Sequence, residues 1–528
     1  MATFYTELAL FGVGRLAFAV LQKRGSLVGA MESSPQDVNR TDREPRLGLW
    51  DAVSLVIGIV VGTSIFRTSP LVFQNVGSAW QGLAAWALGG GLSLVGALCY
   101  AELATTYSRS GGDYEYLTQA YGRWAGFVFG WAQLVAVWTA SVGTMAYTFG
   151  DYGVRLWELQ ETATVWLAAA AVIGVALVNA AGVVAGKWTQ NLLTLAKVLG
   201  LVGVVAAGLS AVEFGDTERI SEIAPLIAPQ ENTALRSVAT GDRAQLLPPF
   251  EGGELPPIAS FGLAMVFVLY AYGGWNDAAF VAAEVRNRRR NLPLALLGGV
   301  AGVTVIYLAM NAAYLAALGF AGLKQSMTPA FDAVAIAVGP REAQLVSVLV
   351  MISALGAING MIFTGSRVFA VFGADHRLFG WLNRGGPQGA PWAAIAAQSA
   401  VTLAMVFGVG TEGGRGAIDA AFRTFGMSAI PWDEYYGGFE TLLAATAPVF
   451  WALFLAVGIG LMVLRRRNPK RERPFSVPLY PLPPLVFCAT CLFMLYSSLD
   501  YARELAVLGA APVVAGLVIY ALSRKRPM

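Results

Sequence analysis

Two stretches of the sequence place glycine and polar residues in the middle of long apolar runs. The first contains Gly58 and Gly62, and Thr63 and Ser64 follow directly. The second reads Leu-Tyr-Ala-Tyr-Gly-Gly-Trp-Asn-Asp over residues 269–277. A helix interrupted at such a point exposes backbone N–H and C=O groups, which can bind the charged groups of a small molecule. These stretches are therefore the strongest candidates for chemistry in the chain.

Each stretch also has a simpler interpretation. Glycines four residues apart, such as Gly58 and Gly62, are typical of close packing between membrane helices, and this alternative stays open for the first stretch. Helix packing explains the second stretch less well, because inserting a carboxylate such as that of Asp277 near mid-bilayer costs about 3 kcal/mol on insertion scales. Packing alone gives no reason to keep an acid there.

The composition indicates a membrane protein. Of 528 residues, 56% are hydrophobic and 13% are charged, whereas soluble proteins carry roughly 25% charged residues. The bilayer is therefore the expected environment, and disulfide-rich secreted, disordered and fibrous classes are excluded. A net charge of +3 is too small to indicate a nucleic-acid partner.

Apolar runs of about 20 residues, the length that crosses the hydrocarbon core, recur along the chain. Their continuous rather than alternating apolar character predicts an all-α membrane protein and excludes a β-barrel. We predict about twelve spans, near 50–71, 80–104, 124–149, 163–184, 189–211, 258–283, 293–319, 342–372, 391–409, 439–464, 476–497 and 503–522.

Basic residues collect on one side of this arrangement. They precede span 1, recur in the loops after spans 6 and 10, and end the chain. Since such loops stay in the cytoplasm, we expect a multi-pass protein of the cell membrane with both termini cytoplasmic. The predicted domains are an N-terminal segment (1–46), a transporter domain (47–523) and a tail (524–528); no role is predicted for residues 1–30 or the outer loop 212–257.

The two glycine-containing stretches occupy corresponding positions. Spans 1–5 (about 50–211) and 6–10 (about 258–464) form halves with an odd number of crossings, so the two halves enter the membrane in opposite senses; spans 11 and 12 (about 476–522) follow. Broken helices at matching positions of an inverted repeat indicate a transporter binding site. The helix N-terminus after Gly62 suits a carboxylate and the freed carbonyls suit an ammonium. An α-amino acid has both groups.

Several further motifs share the order and spacing of a known family. The chain resembles the L-type amino acid transporter family of the amino acid–polyamine–organocation superfamily over about residues 47–522. The resemblance implies a leucine-transporter-type fold, a 5+5 inverted repeat with discontinuous helices 1 and 6. It is carried by residues 58–66, 99–103 (Cys-Tyr-Ala-Glu-Leu), 111–117 (Gly-Gly-Asp-Tyr-Glu-Tyr-Leu), 270–276, 359–367 and 473–475 (Arg-Pro-Phe).

The resemblance also implies a set of substrate-binding residues. The amides of Gly62, Thr63 and Ser64 would hold the substrate carboxylate, and the carbonyls of Ile59 and of Tyr270 and its neighbours would accept from the amino group. Tyr270 would also be the aromatic gate. Many members have Gly-Ser-Gly in place of Gly-Thr-Ser and Phe at the gate, which leaves side-chain specificity undetermined. The further expected contacts are Ala271, Gly273, Gly274 and Asn359.

Lys197 lies inside span 5, at a depth of roughly 12 Å from its cytoplasmic end at 1.5 Å per residue. One interpretation is that its ammonium snorkels to the interface. The alternative is functional, since ionisable residues inside the membrane are functional by default. In sodium-independent relatives a lysine at the matching position fills a cation site between spans 1, 5 and 8. The resemblance thus implies that Lys197 replaces sodium.

Four other polar residues have structural alternatives. Glu102 and Glu284, near the cytoplasmic face, are expected to pair with arginines in adjacent loops, where they could form an inner gate. Asp277 is interpreted as a helix cap, with binding of a proton or a cationic substrate as the alternative. Asn359 either faces the site or bridges helices by a hydrogen bond.

The remaining reactive residue types indicate no enzyme, metal site or cofactor. His376 is expected to be solvated, and the CxxC spacing of Cys488 and Cys491 reads as helix core because no second pair accompanies it. Trp131 and Trp138 are expected to pack the core. No nucleophile–base pair or His cluster occurs deep in the predicted bundle.

These observations predict a sodium-independent amino acid permease that works by alternating access, as an exchanger or coupled to protons. The alternatives are a polyamine or cationic-substrate transporter, whose transport Asp277→Asn would abolish, and a non-transporting amino acid sensor. No disulfide-linked heavy subunit is expected, since the loop near 150–162 has no cysteine.

Overall fold

A computed structural model describes residues 47–210 and 257–523, apart from 108, 110, 281, 327, 386–389, 425, 431, 433–436 and 503. The predicted N-terminal segment, the outer loop up to residue 256 and the tail lie outside the described residues. Within them the chain is helical, and the regular elements are the helices given below.

Ten described helices are long and apolar enough to cross a membrane. They correspond to the predicted spans 2–5 and 7–12, and we keep those numbers. Their bounds are Ala79–Thr106, Arg123–Leu156, Ala163–Ala180 and Val183–Ser210 for spans 2–5, then Arg288–Gln325, Pro340–Asp375, Trp392–Gly410, Gly437–Arg467, Leu482–Ala502 and Leu505–Ser523 for spans 7–12.

Spans 1 and 6 are discontinuous, as predicted. Span 1 consists of Leu49–Val60 and Ser64–Gln74, which meet at an angle of 51°. Span 6 consists of Pro257–Ala271 and the short helix Asp277–Phe280, separated by residues 272–276. Each piece of span 6 is shorter than the about 20 residues needed for a crossing, so only the two pieces together correspond to the predicted span.

Shorter helices connect the spans. Asp113–Tyr121 lies between spans 2 and 3, Pro329–Val338 between spans 7 and 8, and Glu412–Thr424 between spans 9 and 10. The last is amphipathic, with Ile418 and Phe422 packed against a small apolar cluster. None of these helices was predicted, because they are too short to stand out as membrane-crossing runs.

Polar bonds tie span 5 to the first half of span 1. The donors in span 5 recur about once per helical turn and face one side, as the i, i+3, i+4 spacing requires. Lys187 and Asn191 bind the Asp51 carboxylate at 3.3 and 2.8 Å, Thr194 donates to the Ser54 carbonyl at 3.2 Å, and Lys197 donates to the Gly58 carbonyl at 2.7 Å.

Glu102 joins three segments on the side where the arginine-bearing loops lie, which we call the basic side. Its buried carboxylate accepts from Arg465 at the end of span 10 and from the Val477 N–H at 2.7 Å, and it forms an ion pair with Arg473 at 3.4 Å. On the same side Glu284 pairs with Arg367 at 3.0 Å. The expected pairing with loop arginines is confirmed for Glu102, whereas the partner of Glu284 lies within span 8.

Close helix contacts depend on glycine. A Cβ atom on Gly150 of span 3 would overlap the carbonyl oxygen of Thr164 at the start of span 4, whereas Gly174 of span 4 has open space around its Cα. Overpacking a helix contact typically destabilises a protein by about 1–3 kcal/mol.

We therefore predict that Gly150→Ala lowers the melting temperature of the detergent-solubilised protein. Gly174→Ala should leave it unchanged or raise it slightly, because alanine favours helix by up to about 1 kcal/mol over glycine. Melting curves followed by circular dichroism measure both variants; equal shifts would mean that the spans are not in this contact.

Candidate functional site

A cavity with a volume of about 140 Å³ lies at the two helix breaks. Spans 1, 3, 6, 8 and 10 contribute its walls. Six of the predicted site residues line it: Ile59, Gly62, Ser64, Tyr270, Gly273 and Gly274.

The break in span 1 releases backbone groups of both polarities. The Gly62 N–H donates to the Val60 carbonyl at 2.7 Å, so it is already occupied. The Thr63 and Ser64 N–H groups, at the N-terminus of the second half-helix, have no backbone acceptor among the described residues. A helix N-terminus of this kind carries positive partial charge.

Carbonyl groups before the break are satisfied by side chains, with one exception. Lys197 occupies the Gly58 carbonyl, and the Ser353 hydroxyl lies 3.1 and 2.7 Å from the carbonyls of Val61 and Gly62. Within the described part of the chain nothing donates to the carbonyl of Ile59. It is therefore the acceptor that remains open beside the cavity.

Tyr307 of span 7 connects the two breaks. Its buried hydroxyl lies 2.8 Å from the Val60 carbonyl of span 1 and 2.9 Å from the Ala271 carbonyl of span 6. Its ring packs edge-on against Trp86 and Tyr272. One phenol thus stabilises carbonyls that lipid could not. Sequence analysis missed Tyr307 and Ser353, since a lone tyrosine or serine in an apolar helix gives no sign of the direction it faces.

The break in span 6 turns at Gly274, whose φ of +99° suits glycine. A side chain there would also overlap that of Ile59 across the gap. The Tyr270 carbonyl accepts from the Gly273 N–H at 2.9 Å, and the Tyr270 side chain lines the cavity. Its role as a gate remains a prediction.

Three of the predicted contacts lie outside the cavity lining. The Thr63 hydroxyl is buried 3.3 Å from that of Thr148, and the Ala271 carbonyl is engaged by Tyr307. Asn359 bonds to Asn179 at 2.8 Å and to Gln190 at 2.9 Å. Of its two interpretations, the geometry favours the bridge between spans 4, 5 and 8.

Lys197 is fully buried, and its ammonium lies 2.7 Å from the Gly58 carbonyl. Gly356 of span 8 faces the same ammonium: a Cβ atom on Gly356 would lie 3.4 Å from it. The residue thus sits between spans 1, 5 and 8. This position is the one implied by the family resemblance.

Span 3 supplies polar residues that sequence analysis did not select. It contains a π-helical turn over Gln133–Val137, a feature frequent at functional sites, and Gln133 lines the cavity together with Ser141 and Thr144. Trp138 is buried in the hydrophobic core, as expected, and also lines the cavity. The other tryptophan, Trp131, packs between helices and donates to the Pro512 carbonyl at 2.7 Å.

His376 differs from its expected solvated state. Its ring packs 4.9 Å from that of Phe127 and its Nε2 lies 3.2 Å from the Tyr114 hydroxyl. Burial, helped by the charge of Arg123, lowers the pKa of His376 to about 4. The aromatic neighbours come from spans 3 and 8, so their proximity could not be read from the loop sequence.

The cysteines lie in helices, Cys99 and Cys491 being buried. Among the described residues, no three His, Cys, Asp or Glu side chains are grouped so that they could hold a metal ion.

Comparison with solved structures identifies the class of fold. The chain is similar to Mhp1, a nucleobase-cation-symport-1 family transporter in a closed conformation with bromovinylhydantoin bound. The TM-score is 0.50 at 12% identity, over 89% of this chain and 96% of that one. Such a likeness shows the fold alone. It confirms the predicted leucine-transporter-type architecture.

The family follows from the sequence match. The family model described as amino acid permease matches residues 47–521, and the chain therefore belongs to the amino acid permease family. This confirms the predicted family and a multi-pass membrane transporter.

Three relatives show how far the similarity extends. Human b(0,+)-type amino acid transporter 1 is 28% identical over 84% of this chain and 80% of its own. The human cystine/glutamate transporter is 28% identical over 90% and 84%. The serine/threonine exchanger SteT of Bacillus subtilis is 27% identical over 91% and 97%. The similarity therefore covers nearly the whole transporter domain.

We predict that Tyr307→Phe weakens amino acid binding while the protein stays folded. The ring remains, but the Ala271 carbonyl loses its donor and the Val60 carbonyl keeps only the Gly62 N–H. The loss costs up to about 3 kcal/mol, or 150-fold in affinity. Binding of a labelled amino acid to purified protein measures the effect.

The matched control is Tyr314→Phe, two turns further along span 7. Its hydroxyl is buried without a hydrogen-bond partner among the described residues, so its removal should not weaken binding. Unchanged affinity in Tyr307→Phe would show that the two carbonyls do not depend on this phenol.

Proposed function

We propose that the protein is a sodium-independent transporter of L-amino acids in the cell membrane and works by alternating access. The observation that carries this proposal is the break in span 1. It presents an open carbonyl at Ile59 and an open N–H group at Ser64 to one cavity, and the Thr63 N–H beside them is also without a backbone acceptor among the described residues. An α-amino acid has the two charged groups that match them.

The polarity of these groups supports the assignment. The N–H groups begin the half-helix Ser64–Gln74, whose dipole stabilises a carboxylate. The Ile59 carbonyl ends the half-helix Leu49–Val60, whose dipole stabilises a cation. Ile59, Gly62, Ser64, Tyr270, Gly273 and Gly274 line the cavity and form the proposed substrate site.

Lys197 supports independence from sodium. A cation between spans 1, 5 and 8 would compensate the negative partial charge of the carbonyl oxygens at the end of the first half-helix. The Lys197 ammonium already does so at the Gly58 carbonyl. A fixed ammonium there removes the need for a bound metal cation. The cation-site surrogate is thus part of the chain itself.

The orientation follows from charge. We propose that the basic side faces the cytoplasm, because arginine-rich loops after spans 6 and 10 are retained there. Both termini then lie in the cytoplasm. We expect no disulfide-linked heavy subunit, since the three cysteines lie at 99, 488 and 491, within the spans.

Counterflow in proteoliposomes tests the function directly. Vesicles loaded with one amino acid should accumulate the same labelled amino acid, saturably and equally well with sodium or choline outside. A panel of amino acids then identifies the substrate. Saturable binding without accumulation would indicate the sensor instead, and strict dependence on sodium would contradict the role of Lys197.

We predict that Lys197→Ala is folded but transports at least about tenfold more slowly. The variant leaves a buried carbonyl without its charged donor, and hydrogen bonds to charged groups contribute about 1.5–3 kcal/mol. Initial counterflow rates measure the loss. Lys470→Ala, which removes an exposed lysine on the basic side, is the matched control and should match the wild type.

A further inference from the structure

Asp277 is the only acidic or basic residue in the cavity wall within the described part of the chain. It begins the short helix of span 6 and is only 7% exposed. Among the described residues, neither a side chain nor an N–H of its own helix bonds to the carboxyl group, so the geometry does not support the cap interpretation. An ionised carboxylate in such a place needs a counter-charge.

Asp277 lies just beyond the point where the two breaks meet. A side chain at Gly274 would overlap that of Ile59, and the Asp277 N–H donates to the Gly274 carbonyl at 3.1 Å. Ile59 and Asp277 therefore border one cavity from different segments. A substrate whose carboxylate and α-ammonium are both held by span 1 has only its side chain left to reach Asp277.

The protein itself supplies no counter-charge to this acid. No lysine, arginine or histidine of the described chain lines the cavity, and basic side chains in the neighbouring spans have other partners. These pairs are Arg67 with Asp151, Lys197 with the Gly58 carbonyl, and Arg367 with Glu284. The counter-charge is therefore left for a ligand to supply.

The cavity wall also offers hydrogen-bond acceptors. The hydroxyls of Ser141, Thr144 and Thr446 donate to carbonyls of their own helices at 2.8, 2.9 and 2.8 Å, so their oxygens can still accept from a ligand. Asn276 lines the wall next to Asp277, and its Oδ1 is buried without a hydrogen-bond partner among the described residues. A ligand group with several N–H donors matches this wall.

Aromatic rings complete the surface. Trp138 and Phe280 line the cavity with their ring centroids 4.8 Å apart. Apolar surface of this kind packs against the methylene stem of a long side chain, and the face of a tryptophan attracts a cation within about 6 Å. A carboxylate, free acceptors and aromatic rings in one wall suit an ammonium or guanidinium group at the end of an alkyl chain.

We propose that Asp277 forms a side-chain subsite for a cation, and that the preferred substrates are L-amino acids with a cationic side chain, such as lysine or arginine. The inference rests on the proposed amino acid site. A neutral amino acid brings two charges that cancel and that span 1 already matches, so it leaves Asp277 uncompensated. A diamine compensates Asp277 but brings no carboxylate to the Ser64 N–H.

Binding of three matched compounds to the purified full-length protein at pH 7 tests the subsite without any substitution. Norleucine is lysine without its side-chain amino group, and 1,5-diaminopentane is lysine without its carboxylate. Each lacks one charged group that the site would bind, so lysine should bind at least about tenfold more tightly than either.

The two comparisons fail for different reasons. Norleucine that binds as tightly as lysine would overturn this inference and leave the proposed amino acid transport intact. Binding of 1,5-diaminopentane as tightly as lysine would contradict the amino acid site, and the inference with it, because the carboxylate would then not be recognised.

Asp277→Asn tests the residue itself. The variant keeps the shape of the side chain and removes its charge, so the ratio of lysine affinity to norleucine affinity should fall by about tenfold or more. Asp500→Asn, which removes an exposed carboxylate at the end of span 11, is the matched control and should keep the wild-type ratio. An unchanged ratio in Asp277→Asn, including an equal loss of both amino acids, would overturn the assignment of Asp277 to the side chain.

Discussion

Hydrocarbon cannot solvate the peptide groups that two interrupted helices set free, and the rest of the site is arranged around that constraint. Side chains from three different spans, those of Tyr307, Ser353 and Lys197, each donate a hydrogen bond to a carbonyl at or before a break. They leave the Ile59 carbonyl and the first N–H groups of the second half-helix open. The open groups at this break match the two charges of a zwitterion.

Charge is distributed unevenly about this centre. The Lys197 ammonium lies behind span 1, while the Asp277 carboxyl lies across the cavity at the start of the short helix of span 6. The ammonium has a carbonyl acceptor, whereas no hydrogen-bond donor or cation pairs with the Asp277 carboxyl among the described residues. The lysine is therefore a fixed part of the scaffold, and the acid faces the cavity.

Hydropathy and glycine positions predicted the architecture well. The apolar runs predicted the spans, and Gly62 and Gly274, each beside polar residues in the middle of an apolar run, marked the two breaks. The partners of the breaks were harder to predict. Tyr307 and Ser353 lie in helices that are apolar all round, so no hydrophobic periodicity fixes their rotation.

Residues near the breaks were also difficult to assign by type alone. Thr63 and Asn359 are polar and lie close in sequence to the expected site, yet both are engaged in bonds between helices. Gln133 was missed because a π-turn, which sequence does not reveal, presents it to the cavity. Which polar residue faces a ligand depends on helix rotation, and that depends on packing against every neighbouring span.

The row of bonds from span 5 has a mechanical consequence. Successive turns of span 5 form hydrogen bonds to Asp51, Ser54 and Gly58. The first half-helix of span 1 therefore cannot tilt independently of span 5 without breaking several of these hydrogen bonds together. Any rocking motion must move both helices as one rigid unit. Its hinge then falls at residues 61–63, which bond to spans 3 and 8 but to none of the described residues of span 5, and where the cargo would be held.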